Sequence, residues 1–180
     1  AVSFLHYRPP STSFLIITML TLVTGATTEI LKKKTALVAD ALAPEIQGLL
    51  PEMKVTKDQA KGVGLAAPQI GLSLRLAIAE ADGVLYTLIN PEITSLSQEK
   101  VLFEEGCLSL PGQYFSIVRP ESLTLKYQDE RGLPKKIRAT GFLAIVIQHE
   151  VDHLDGILIC DRYAKQQKNP RYKKLYGTLD

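Results

Sequence analysis

Residues 141–153 constrain this chain more than any other stretch. The apolar run Gly141-Phe142-Leu143-Ala144-Ile145-Val146-Ile147 leads directly into Gln148-His149-Glu150-Val151-Asp152-His153. A helix entering from such a run is buried, so the polar cluster at its end needs partners inside the protein. The cluster has the form H-E-x-x-H. On a helix, residues four apart share a face, so His149 and His153 can grip one metal ion while Glu150 handles the proton of a bound water. With three histidines in 180 residues, two at this spacing carry weight. An amphipathic helix with two solvated histidines is the alternative, and the apolar approach argues against it.

A catalytic zinc or iron site takes three protein ligands and keeps one position open. Downstream the pattern reads H-E-x-x-H-x-x-G-x-x-I, so Ile159 stands where a metzincin-type protease has its third histidine. After Asp161 the only acid is Asp180. The third ligand therefore comes from upstream, or is Asp155 or Asp161. Upstream, Glu104-Glu105-Gly106-Cys107-Leu108-Ser109-Leu110-Pro111 offers Cys107. A thiolate suits a soft or borderline metal; the alternative is a buried small hydrophobe. Cys160 has no polar cluster around it and is expected in the core. Two cysteines make no disulfide framework, so a reducing compartment is expected.

A third feature is Gly62-Val63-Gly64-Leu65-Ala66-Ala67-Pro68-Gln69. No Gly-Lys-Ser/Thr follows, which excludes a phosphate loop. Its backbone is open enough for an extended substrate to approach, and Gln69 adds a carboxamide donor suited to an oxyanion. A tight loop with Gln69 solvated is the plainer alternative.

Together, in this order, the G-φ-G-φ-A-A-x-Q segment, E-G-C-L-S and Q-H-E-φ-D-H resemble the peptide deformylase family, over roughly Leu20 to Tyr163. The resemblance implies an α+β enzyme, with mixed or antiparallel β-sheets packed around a central metal-binding helix. It implies removal of the formyl group from the N-terminal formylmethionine of new polypeptides, by attack of metal-activated hydroxide on the formyl carbon. Carried over, Cys107, His149 and His153 are the metal ligands, Glu150 the general acid/base, and Gln69 with the Leu108 N–H the oxyanion donors. Fe(II) is the family's usual metal, and zinc, nickel or cobalt can take its place. Some relatives carry an arginine where Tyr114 stands here, with Arg119 further on, so contacts to later substrate residues are open. An HExxH metallopeptidase and a catalytically silent, metal-stabilised binding domain are the competing readings.

Phe142, Ile145 and Val146 lie seven, four and three residues before His149, on the metal-bearing face. They make an apolar floor for a methionine side chain, or simply core. Val63 and Gly64 are placed to pair with a substrate backbone in strand fashion.

Elsewhere the spacing of Leu37, Val38, Leu42, Ile46, Leu49, Leu50 and Met53 predicts helix from Thr35 to Lys61, interrupted or kinked at Pro44 and Pro51. Residues 72–80 alternate as a half-buried strand, and 84–90, 121–128 and 133–139 read as further strands with turns at 81–83 and 129–132. The expected organisation is an N-terminal extension over residues 1–18, a catalytic domain over 19–163, and a basic tail or helix end over 164–180. Met19 is the expected natural start. The apolar run Phe14–Val23 is too short to span a bilayer; a signal or transit segment is the alternative. The cations Arg162, Lys165, Lys168, Arg171, Lys173 and Lys174 suggest a ribosome contact, or a solvated surface. The expected location is the cytoplasm, or an organelle stroma or matrix; neither a membrane nor specific DNA is an expected partner.

Overall fold

The computed structural model describes residues 18–176. Apart from Thr18, the expected N-terminal extension lies outside them, as do residues 177–180. Among the described residues, no helix is long and apolar enough to cross a membrane.

The first long element is α1, Pro44–Gln59. Pro44 opens it, where a missing N–H costs nothing. Pro51 sits inside it without ending it. A mid-helix proline costs about 3 kcal/mol. Ile46, Leu49 and Met53 are buried on one face of the helix, and burying each is worth about 1.5–3 kcal/mol, which outweighs that cost. The expected helix over 35–43 does not form. Ala36 bridges to Leu74, and the Asn90 side chain bonds both the N–H and the C=O of Val38 at 2.9 Å. Pro44 also biases the residue before it toward extended backbone.

Strands β1 (Gly64–Ala66), β2 (Leu76–Ala81), β3 (Val84–Leu96), β6 (Ser122–Gln128) and β7 (Pro134–Thr140) form one antiparallel sheet in the order β1-β2-β3-β6-β7. Strands β4 (Lys100–Cys107) and β5 (Leu110–Pro120) form a separate hairpin. β2 is buried on both faces rather than half-buried. Its Leu76 and Ile78 join α1 in one core cluster, while Ala79 joins the helix α2, Gly141–Leu154, in another. Alanines at 77, 79 and 139, with Ala144 on the helix, leave little bulk between sheet and α2, so the helix carrying the metal motif lies deep in the molecule.

The basic C-terminal segment is helical: α3 covers Ile159–Gln167 and α4 Pro170–Tyr176. α3 closes over β5, where the Gln166 side chain bonds both backbone groups of Val118.

Candidate active site and metal centre

Three donor side chains from two elements converge at the end of α2. His149 and His153 project from one face of the helix. Cys107 ends β4, just before the turn at Leu108-Ser109. One nitrogen from each ring and the Cys107 sulfur lie within 4.8 Å of one another, and Sγ stands 3.2 Å from His153 Nε2. Asp155 pairs instead with Arg75, and Asp161 with Lys32 and the Leu158 N–H, so neither is the third ligand. Ile159 is core. Cys160 is half-buried against the same apolar cluster as Ile159 and is not among the three converging donors.

The donors fit a divalent cation. Burial disfavours a charged His149, but the Cys107 sulfur and the Glu105 carboxylate outweigh it and hold its pKa up at about 10. The same sulfur and carboxylate that favour positive charge on His149 suit a cation held at this position. Burial keeps His153 neutral, the form that ligates.

Behind His149 stands a network that the sequence reading missed. His149 Nδ1 is 2.9 Å from Glu105 Oε2. Arg119 donates to both oxygens of Glu105 and, at 2.8 Å, to Asp152 Oδ2. Arg162 donates in turn to both oxygens of Asp152. Burial would raise the pKa of Glu105, but Arg119 and His149 hold it down at about 2. Glu105 therefore stays ionised and fixes which His149 nitrogen faces the metal side. Arg119 is 1% exposed and turned inward, so it does not reach along a bound peptide. Its one signal in the sequence is an ionised residue beside the apolar pair Ile117-Val118, which needs buried partners. Tyr114 does reach the cleft, and its ring lies over Gly106, where a Cβ would meet it at 2.9 Å.

Glu150 is buried, lines the cleft and leaves Oε2 without a partner among the described residues. Burial raises its pKa to about 7. Gly64 is what admits it: a Cβ there would meet Glu150 Oε1 at 2.2 Å. Gln69 lies in a 3-10 turn, Ala67–Ile70, and is 2% exposed rather than solvated. Its Oε1 accepts from the Ala66 N–H at 2.9 Å, which turns Nε2 toward Ser109 Oγ at 3.3 Å and Cys107 Sγ at 3.8 Å.

The cleft holds about 560 Å³ and is lined by Val63, Gly64, Leu108, Phe142, Ile145 and Val146 beside His149 and Glu150. Phe103, which the sequence reading did not single out, packs its ring tilted against Phe142, with centroids 5.8 Å apart. β1 is an edge strand, and Val63 C=O accepts from the Glu80 N–H inside the sheet. By the alternation of an antiparallel ladder, the backbone groups of Gly64 then point to the free edge. Across the cleft, the register jump between Gly106 and Cys107 loops out Pro111, Gly112 and Gln113 as the other bank.

A part-buried donor set of one cysteine sulfur and two imidazoles, an unpartnered carboxylate beside it and a free strand edge along the cleft together define a metal-dependent hydrolase acting on an extended chain. The polypeptide deformylase family model matches residues 20–169. A peptide deformylase of Picosynechococcus is 43% identical over 139 residues, covering 74% of each chain. The chain belongs to the peptide deformylase family. Its fold matches the crystal structure of peptide deformylase from Thermotoga maritima with a TM-score of 0.77 at 35% identity, covering 80% of this chain and 97% of that one. It also matches a Synechococcus elongatus peptide deformylase in complex with actinonin, with a TM-score of 0.77 at 32% identity, covering 97% of this chain and 90% of that one.

Proposed function

We propose that this chain removes the formyl group from N-terminal formylmethionine of newly made polypeptides, with Glu150 as the proton carrier of the reaction. The convergence of Cys107, His149 and His153 beside the buried, unpartnered Glu150 carries the reading. Those three donors would hold one divalent ion, which supplies Lewis acidity toward water and toward a carbonyl oxygen. Glu150 accepts the proton of the attacking water and passes it to the departing amine nitrogen, giving formate and a free N-terminus. Gln69 Nε2 and the Leu108 N–H stabilise the oxygen on which negative charge grows. The missing side chain at Gly64 leaves room for the Glu150 carboxylate that carries this proton. The Gly64 backbone holds the peptide as an added strand, with Val63, whose carbonyl is used inside the sheet, lining the cleft beside it.

Phe142, Ile145 and Val146 receive the methionine side chain. Enlarging Val146 to phenylalanine should therefore raise KM for formyl-Met peptides several-fold; an unchanged KM would remove Val146 from the pocket.

Fe(II) is the proposed metal in the cell, and zinc, nickel and cobalt suit the same donors. The deciding experiment is anaerobic purification with metal analysis, then assay of formyl-Met-Ala-Ser against acetyl-Met-Ala-Ser and unformylated peptides. Cleavage of peptide bonds without release of formate would favour a metallopeptidase; no hydrolysis in any metal form would favour a silent binding domain.

The proposed site of action is the cytoplasm, or an organelle stroma or matrix, near emerging chains. Arg171, Lys173 and Lys174 on α4 are a candidate contact for ribosomal RNA. Ribosome co-sedimentation should then weaken as salt rises and as these three residues are changed to alanine; binding indifferent to both would rule the contact out.

A further inference from the structure

The two groups read as oxyanion donors come from separate parts of the fold. Gln69 belongs to the turn after β1, and Leu108 follows the end of β4. One segment bonds to both neighbourhoods. Residues 20–25 cross between them, with Val23 N–H donating to Gln69 C=O at 2.8 Å and Gly25 N–H to Ser109 C=O at 2.9 Å. Upstream the segment is anchored on α1, where Leu20 N–H donates to Thr56 Oγ1 at 2.8 Å. Downstream it turns away at Gly25, whose φ of +109° favours glycine. Between these anchors Leu22 lines the cleft and, with Leu108, packs against the α1 core cluster.

We propose that residues 20–25 act as a positioning strap that sets the spacing between Gln69 Nε2 and the Leu108 N–H. The strap clamps the carbonyl of Gln69 itself and the carbonyl one residue beyond Leu108. The Gln69 carboxamide is held at its oxygen by the N–H of Ala66, the last residue of β1, on which the turn is built. A shift of the turn therefore carries the donor with it. Oxyanion donors act only where charge develops, and a misplacement of about 1 Å can cost about 10²-fold in rate. The strap residues touch no reacting atom; they act through the donors. The inference rests on Gln69 and Leu108 N–H being those donors.

The test deletes one hydrogen bond from the full, metal-loaded chain. Introducing the α-hydroxy analogue of valine at position 23 replaces the N–H by an ester oxygen and keeps the side chain. Val23→Pro removes the same N–H by ordinary mutagenesis, and Val23→Ala keeps it while trimming the side chain. With formyl-Met-Ala-Ser, kcat should fall about tenfold or more in the ester and proline proteins, while KM and metal content stay within about twofold of wild type. Val23→Ala should keep wild-type kcat. A merely structural strap would lower Tm and leave the kcat of the folded protein unchanged. Wild-type kcat in the ester protein overturns the inference, and so does an equal loss in Val23→Ala. Gln69→Ala separates the two levels: full kcat there would sink the oxyanion reading itself, whatever position 23 does.

Discussion

Replacing Glu150 with glutamine is expected to abolish nearly all turnover while leaving one metal ion bound. Glutamine keeps the size and one acceptor oxygen and loses the ability to take a proton. Proton transfer by a positioned side chain is worth about 10²–10⁴ in rate, so kcat should fall by about that factor with KM little changed. The three metal donors are untouched, so metal content measured after gel filtration should match wild type. The pH profile gives a second readout. The reaction begins with Glu150 as the carboxylate, and burial raises its pKa to about 7. The carboxylate is populated above that pKa, so kcat/KM should rise with pH and level off. A bound divalent cation favours the charged form, which places the acid limb at or below this value. Glu150→Gln should lose that limb together with the rate. A glutamine variant with equal metal content and undiminished turnover would remove Glu150 from the chemistry.

The site was far more legible in the sequence than the fold around it. His149 and His153 were readable because a metal needs particular atoms on one face, and residue type with helical spacing states that directly; Cys107 lies on a strand, and only the resemblance chose it over Asp155 and Asp161. Gln69 was readable because a carboxamide follows an open glycine backbone, although burial and the Ala66 bond that aims it appear only in the fold. The hairpin β4–β5 was not legible. Its residues Lys100–Pro120 mix charges, glycine and prolines, and only cross-strand pairing such as Glu105 with Phe115 makes them strands. The stretch from Thr35 to Ala43 had helical spacing without being helix. The bridge to Leu74 and the Asn90 side chain satisfy its backbone instead, and both partners are distant in sequence. Leu20–Gly25 likewise carried no signal, because it acts through backbone N–H groups that every residue but proline has.

Replacing Arg119 with methionine is expected to cost as much stability as truncating a large, fully buried apolar side chain. Among the described residues, Arg119 is the one side chain besides His149 that bonds the Glu105 carboxylate, and it also holds Asp152. Removing one partner of a buried ion pair costs about 3–5 kcal/mol, because the remaining charge is left uncompensated. Here two carboxylates lose their partner, and Arg162 covers only Asp152. For a domain of this size the loss corresponds to a drop in Tm of about 6–20 °C. Acid titration gives the mechanism. Glu105 has a folded pKa of about 2 against an ordinary value of 4.5. Its contribution is therefore fully present above the unfolded value and lost as pH falls through the folded one. The methionine variant should lose stability at neutral pH and show a flatter acid limb of stability between those two values. Lysine should rescue part of the charge term and little of the geometry, because it cannot span both Glu105 oxygens and Asp152 at once. The effect should reach the metal as well. Without Arg119, Glu105 is no longer held against His149 Nδ1, and losing such an outer partner typically weakens metal affinity about 10–100-fold. Equal Tm, equal acid unfolding and equal metal affinity in Arg119→Met would show that the buried network is incidental to both the fold and the site.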